Sequence, residues 1–524
     1  MKEYWNREFD EISDMESRMY AKPVDIEEYL NNNPQKPYIS CEYMHAMGNS
    51  CGGMNLYSEL EDKYEMYQGG FIWDYIDQAI ELEDENGKQT FAYGGDFDDR
   101  ATDYCFCTNG IIYADRTISP KTQEVKHLYS NIKLIPDSKG VMVKNKNLFI
   151  GTESYYLVYY IECNGKKIFQ NMLNINVEAG EEKYIEVNYP EFKDVGEYVY
   201  NASMRLKENT IWASRDYEIA FGQFVSQEKY YNKKEEFNNS FKIIHGDVNI
   251  GVVGKGFQMM FSKVEGGLIS LCYDGKEYIT RAPKTSFFRA TTDNDRGNGH
   301  NFRCAQWQIA GMNQKVVDFK CIEEEEKLII KYEFIMPTSV ESRNIVTYKV
   351  NPNGDIKVEL NYKGVEGLSE LPIFAMDFKL KKELNQFEYY GYGPYENYID
   401  RREGARLGIF KNTVLDNLSR YLIPQECGNR TGVRWSKITN KNKEGLLFKY
   451  DNVPFELSVL PYSAYELENA MHIEELPTIN YTWVRIIAKQ MGVGGDDSWG
   501  ALVNKKYLIS STDDIDFSFI ISRV

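Results

Sequence analysis

The string PYISCEYMH (37–45) puts a carboxylate, Glu42, at the C-terminal tip of a short apolar strand, with an imidazole, His45, three residues on. A second strand rises from Gln68-Gly69-Gly70 into FIWDYID and carries Trp73 and Asp74 at the same end. A carboxylate at such a mouth can serve as nucleophile or base, an imidazole can bond a hydroxyl, and an indole can stack on the apolar face of a pyranose. Each also has a plainer use: an exposed strand-end acid, a loop histidine bonded to a carbonyl, a tryptophan packing a core. Asp74 is either a helix cap or an acceptor. Tyr20, in MYAKP, is either an ordinary tyrosine or a phenol that positions a neighbouring carboxylate. Convergence of these groups on one mouth favours carbohydrate hydrolysis. That reaction takes two carboxyl groups, held roughly 5–5.5 Å apart in retaining enzymes, and Glu42 fits the nucleophile by position.

Such a mouth needs a scaffold. Between the two strands, residues from about Met54 to Met66 carry Leu56, Leu60 and Tyr64 at helical spacing, with Tyr67 close behind. Strand, helix and parallel strand make a βα repeat, and barrels of such repeats carry their chemistry at the C-terminal strand ends. Upstream, Asp25 is placed to cap a short helix through Tyr29-Leu30, ended by Asn31–Pro34. Downstream, Glu85-Asn86-Gly87-Lys88 reads as a hairpin turn into FAYGGDF.

From about Leu134 the period changes to two. LFIGTESYYLVYYIECNGKKIFQNMLNINV and VGEYVYNASMRL alternate apolar and polar residues, with Asn164-Gly165 as a tight turn, and predict a β-sandwich ending near Phe224. SQEKYYNKKEEFNNS (226–240) has no apolar period and reads as a linker. Residues 241–524 are strand-rich, with turn signals at Asp274-Gly275 and Asn353-Gly354, and predict one large sandwich with no helix longer than two turns.

The 524 residues predict several domains. A formal charge of −18 argues against nucleic acid and against an anionic membrane as partners. The nine cysteines are scattered, Cys105-Phe-Cys107 stands alone, and reduced thiols in a cytoplasmic protein are expected. The N-terminus has no apolar signal region, and no apolar run approaches a membrane span.

Three further loops are polar, aromatic and Gly-rich: DNDRGNG (293–299), GYGPYENYIDR (391–401) and QMGVGGDDSWG (490–500). Each either lines a cleft or turns a corner. The last carries Asp496, Asp497 and Trp499 but lacks the ligand spacing of an EF-hand.

In order, CEYMHAMGNS, GGFIWDYIDQ, YGGDF, CTNGIIYADR, DNDRG, GPYENYIDR and GGDDSW resemble the C-terminal half of the large bacterial β-galactosidases of glycoside hydrolase family 2. The likeness runs from about Tyr20 to the C-terminus. It implies a multidomain, mainly β chain with an α/β part. The C-terminal portion of a TIM barrel occupies 1–132, an immunoglobulin-like β-sandwich 133–225, the linker 226–240, and a large β-sandwich (galactose-mutarotase-like, as in the family's small chain) 241–524. It implies Glu42 as nucleophile, Tyr20 as its assistant, and His45, Trp73, Asn109 and Trp499 as substrate-binding residues. Trp73 would form the floor of the galactose site and Trp499 the aglycone side. The Phe106 carbonyl and Asn109 would be Na⁺ ligands. Mg²⁺ is implied for the complete enzyme, with most of its ligands outside this chain. Thr102 stands where the family carries an asparagine near a second Mg²⁺.

The resemblance also implies that the sugar-binding domain, the first immunoglobulin-like domain, five barrel strands and the acid/base glutamate lie outside this chain. Asp74, Asp77 and Asp96 have no motif that recommends them as substitutes. Three barrel strands cannot close, so a partner is expected: the missing N-terminal portion or a second subunit, in an oligomer acting on β-galactosides such as lactose. The alternatives are a non-catalytic subunit that completes another chain's barrel, or a sugar-binding module. A glucuronidase- or mannuronidase-like relative would lack the long β-rich tail ending in GGDDSW.

Overall fold

The computed structural model describes residues 13–83, 87, 89–192, 195–226, 240–324 and 327–524. Strands β1 (Glu16–Met19), β2 (Tyr38–Tyr43) and β3 (Tyr67–Ile72) form a parallel sheet in chain order. Helix α1 (Pro23–Asn31) joins the first pair and α2 (Met54–Lys63) the second. Met19 lies beside Glu42 in the β1–β2 register, so both strands deliver their last side chains to one rim.

Helix α1 starts on Pro23, whose missing N–H costs nothing in the first turn, and buries Ile26 and Leu30 four residues apart. Asp25 does not cap it. Lys22 occupies the cap position without a side-chain bond, and Asp25 sits inside the first turn, where its charge suits the helix dipole. Helix α2 stops at Lys63, short of Met66, because Tyr64 is already extended. Its buried residues are Met54, Tyr57 and Leu60, while Leu56 packs against the core of the terminal sandwich. A helix lodged between two bodies has two apolar stripes, so Leu60 shares its core with Tyr64 and Tyr67 as expected, and Leu56 belongs to the second stripe. Strands Ile80–Glu83 and Gln89–Ala92 pair antiparallel, as the hairpin requires; Glu85, Asn86 and Lys88 of its turn lie outside the described residues.

The second body is a sandwich of a three-stranded sheet (Ile132–Pro136, Gly140–Asn145, Glu182–Glu186) and a four-stranded one (Tyr155–Cys163, Lys166–Leu173, Tyr198–Leu206, Glu218–Val225). Leu134, Val141, Val143, Leu157, Ala202, Met204 and Ala220 fill it from alternate positions. Asn164 and Gly165, at φ of 51° and 76°, make the turn whose twist matches the flanking strands. Leu148, Phe149 and Ile150 do not join the alternation; they lie exposed in the loop before Tyr155. Of the expected linker, residues 227–239 lie outside the described residues.

The terminal body holds a nine-stranded antiparallel sheet running from Lys315–Glu324 to Arg406–Thr413, with the last strand, Ile515–Arg523, in its interior. Two five-stranded sheets accompany it, and one continuous core joins residues from Ile250 to Ile521. Three short helices sit together here: α3 (Asp293–Gly297), α4 (His300–Arg303) and α5 (Ala305–Met312). At eight residues, α5 slightly exceeds the two turns expected. All nine cysteines are free, and no helix among the described residues is long and apolar enough to cross a membrane.

Candidate active site

An open cleft of about 560 Å³ is lined by Met19, Tyr20, Glu42, His45, Trp73, Phe106, Asn109, Asp497 and Trp499. Every site residue expected from the sequence is in this lining. Three strand ends and two distant loops build it. The β2 end supplies Glu42 and His45, the β1 end Met19 and Tyr20, and the β3 end Trp73.

Glu42 is half-buried, and the Tyr20 phenol faces its carboxylate closely enough to feel its charge. The Tyr20 backbone also donates to the Glu42 carbonyl at 2.8 Å, which holds the two residues side by side. Burial, then contact with Glu42 and its charge, push the Tyr20 phenol far above its usual range, so it stays protonated.

His45 is buried, with Nδ1 2.8 Å from Ser498 Oγ. Ser498 Oγ–H in turn donates to Asn294 Oδ1 at 2.8 Å. The serine proton is therefore committed to Asn294, and Ser498 can only accept from His45. That places the imidazole proton on Nδ1 and leaves Nε2 as a bare acceptor. Burial, opposed by the Asp497 charge, lowers the imidazole to about 4, so the ring is neutral at neutral pH. The rings of Tyr20 and His45 meet Trp499 edge-on, at centroid distances of 4.7 and 5.1 Å.

Trp73, Phe106 and Trp499 are 41%, 43% and 51% exposed, high values for rings that point into a cleft and a surface suited to the C–H face of a sugar. The loops beneath them are laced by backbone bonds: Ala46 N to Trp73 O (2.8 Å), Asp74 N to Asn109 O (2.7 Å) and Ile111 N to Asp74 O (3.0 Å). Gly110 has no alternative, since a Cβ there would stand 2.1 Å from the Asp77 amide nitrogen.

Asn109 is buried and its Nδ2 donates to the Phe106 carbonyl at 2.8 Å, while its Oδ1 is buried without a partner. A carbonyl and an orphaned amide oxygen side by side are hard oxygen donors, and they fit the Na⁺ that the resemblance implies. Mg²⁺ does not fit. Among the described residues, no group of three His, Cys, Asp or Glu donors stands at this cleft. Thr102 belongs to an exposed turn, where its Oγ1 accepts from the Tyr104 amide at 3.2 Å.

Several residues that hold the cleft together had no role assigned from sequence. The buried Lys121 ammonium donates to the carbonyls of Ala46 (2.6 Å), Gly48 (2.9 Å) and Gly110 (2.7 Å) and so ties the His45 loop to the Asn109 loop. GYGPYENYIDR does not line the cleft; it docks the barrel strands on the terminal sandwich. Asp400 accepts from Val493 N (3.1 Å) and Gly494 N (2.9 Å), Arg401 donates to the Ser50 carbonyl, and Tyr398 OH accepts from Asn49 (2.8 Å). Gly52 must be glycine, because a Cβ would sit 2.1 Å from Asp400 Oδ2. DNDRG reaches the site only through Asn294. For Asn49, Asn294 and the 391–401 segment the signal was a loop rich in Gly and carboxamides, for Lys121 there was none, and no signal gave the partner.

Besides Glu42, the carboxylate lining the cleft is Asp497. Its Oδ1 accepts from the amides of Trp499, Gly500 and Ala501 at 2.8–3.0 Å, which makes it the brace of the Trp499 turn. The other acids are committed elsewhere: Asp74 to Gln78, Asp77 to the Gly110 amide, Asp96 to His472. The cleft thus offers one carboxylate free for chemistry, with acceptors and aromatic faces around it.

Comparison with known proteins places three family descriptions in succession along the chain. "Glycosyl hydrolases family 2, TIM barrel domain" matches residues 1–134, "Beta-galactosidase, domain 4" residues 141–227, and "Beta galactosidase small chain" residues 253–521. A β-galactosidase of Halalkalibacterium halodurans is 50% identical over 528 residues, covering 99% of this chain and 52% of that protein. One from Clostridium acetobutylicum is 59% identical over 399 residues (76% and 44% covered), and one from Streptococcus thermophilus 43% identical over 538 residues (99% and 52%). The chain spans about half the length of the curated relatives it matches. Among solved structures, a galactose mutarotase-like protein from Lactobacillus casei aligns with 54% of this chain and 100% of its own, at 11% identity and a TM-score of 0.31. By its successive family matches and its identity to these relatives, the chain belongs to the β-galactosidases of glycosyl hydrolase family 2.

Proposed function

We propose that this chain is the C-terminal portion of a retaining β-galactosidase, supplying the nucleophile and most of the galactose site while another polypeptide portion supplies the acid. The observation that carries this reading is Tyr20 and Glu42 held side by side in a cleft where Oδ1 of the second carboxylate, Asp497, accepts from three backbone amides. A Glu42 oxygen attacks the anomeric carbon, and the bond from that carbon to the aglycone oxygen breaks. The departing oxygen takes a proton from an acid outside this chain. Water, deprotonated by the same group, then cleaves the galactosyl ester and frees Glu42. His45 Nε2 accepts from a galactose hydroxyl, Trp73 floors the sugar, and Trp499 faces the aglycone. Phe106 and Asn109 would hold Na⁺, a fixed positive charge beside the sugar hydroxyls.

The partner portion continues the parallel sheet and closes the barrel. The division into 1–132, 133–225 and 241–524, with 226–240 as linker, belongs to this reading. Nine free thiols and the −18 charge support a reducing, cytoplasmic setting without nucleic acid or an anionic membrane. In the test, the purified chain is assayed on a chromogenic β-galactoside alone and after addition of an N-terminal half from a close relative. Activity should arise only on mixing and fall by on the order of 10⁴-fold with Glu42→Gln. A 2-fluorogalactoside should label Glu42. Activity of the chain alone, or a label on another residue, would overturn the reading. Binding of galactosides with no turnover in any mixture would favour the sugar-binding alternative.

A further inference from the structure

At the far side of the α3–α5 segment, three donors of different chemistry face one another. His300 opens α4 and Cys304 follows its last residue, one helical turn on, so both project from the same face. Glu370 approaches from the loop ahead of strand Ile373–Lys381. Their ligating atoms all lie within 4.8 Å of one another. His300 is 3% exposed and Cys304 4%. His300 Nδ1 is buried without a partner at hydrogen-bond distance; Glu370 Oε1 stands 3.8 Å away.

The scaffold behind these groups is rigid. Cys304 Sγ points at the Glu370 carbonyl oxygen (3.6 Å), Trp307 Nε1 bonds Ser369 Oγ (3.1 Å), and Arg303 holds Glu370 Oε1 at 3.1 Å.

We propose that His300, Cys304 and Glu370 form a binding site for a zinc-class divalent cation, with one coordination position open to water. An imidazole nitrogen, a thiolate and a carboxylate are the mixed donor set of a borderline ion, and their present spacing needs only small inward rotations to reach bonds of ~2.0–2.3 Å. Arg303 orients the carboxylate from behind. On binding, the Cys304 thiol gives its proton to solvent and His300 binds through a bare ring nitrogen. The ion would clamp α4 to the loop at Glu370. The same segment, through Gly297, packs its backbone against Ser498 of the cleft loop. This inference stands apart from the galactosidase reading.

The test uses the full chain, stripped with chelator under reductant and titrated with Co²⁺. Wild type should take up one equivalent with a near-ultraviolet thiolate-to-cobalt charge-transfer band that Zn²⁺ abolishes. Cys304→Ser should lose the band, and a Cys105→Ser/Cys107→Ser double variant should keep it. Glu370→Gln retains an amide oxygen for Arg303 and should fold normally. It should bind at least ~10-fold more weakly and lose the rise in Tm that Zn²⁺ gives wild type. No band at one equivalent, a band that survives Cys304→Ser, or an unchanged Zn²⁺ response in Glu370→Gln would overturn the proposal.

Discussion

At the scale of single residues, the cleft is built from groups whose protons are already assigned. The Tyr20 phenol lies against Glu42, and burial and that charge hold its ionised form far out of reach. A hydrogen bond to a charged group contributes ~1.5–3 kcal/mol. Tyr20→Phe should therefore lower kcat of the complemented enzyme by about 10- to 100-fold, with a smaller effect on KM, measured by steady-state kinetics. The His45–Ser498–Asn294 relay is a second case. Ser498→Ala removes the acceptor that selects the Nδ1–H tautomer, so Nε2 is no longer reserved for the substrate. KM for a β-galactoside should rise by about 5- to 10-fold, the equivalent of one hydrogen bond, while the fluorosugar still labels Glu42.

At the scale of elements, the barrel strands are held as much by the terminal sandwich as by each other. Helix α2 shows it: one stripe faces its own sheet and Leu56 faces the other body. The helix Lys121–Leu128 is a second joint. Its Glu124 is fully buried, accepts from the Gly404 amide at 2.7 Å, and burial raises it to about 7 from the usual 4.5. The folded chain therefore keeps this proton where the unfolded chain has lost it. Its contribution is complete below about pH 4.5 and disappears as pH rises through 7. Asp77, Asp496 and Glu456 are also raised by burial, to about 6, 6 and 7, and act in the same direction. Glu124→Gln copies the protonated form. Between pH 5 and 8, thermal unfolding should show a shallower loss of stability than wild type, a difference on the order of 1–3 kcal/mol at the upper end.

At the scale of the whole molecule, the parallel sheet ends on β1 and β3 with Met19, Phe71 and Trp73 59%, 64% and 41% exposed. Unpaired strand edges beside exposed apolar side chains need a cover. If the partner portion continues the barrel, hydrogen exchange at the amides of Glu16–Met19 and Tyr67–Ile72 should slow by at least ~10-fold on mixing. Amides in the strand Ile515–Arg523, deep in the terminal sheet, should not change. Equal exchange with and without the added half, in a mixture that is active, would place the contact elsewhere.

Local order was legible in the sequence. Strand period, the Asn164-Gly165 turn and the placement of Glu42, His45 and Trp73 at strand ends depend on backbone geometry within a few residues, which the chain carries in its own spacing. The long motifs carried the family and, with it, Tyr20, Asn109 and Trp499. What spacing could not supply was every contact made across the fold. His45 meets Ser498 across 453 positions, and Lys121 gathers three carbonyls from two loops. Leu56 was misread for the same reason, since its neighbours come from another element, whereas Asp25 falls inside the first turn because the helix starts on Pro23 with Lys22 at its cap. A hydrogen bond is chosen by distance and angle in three dimensions, and only the tertiary packing of strand ends, loops and terminal sandwich brings those atoms within 3 Å of one another.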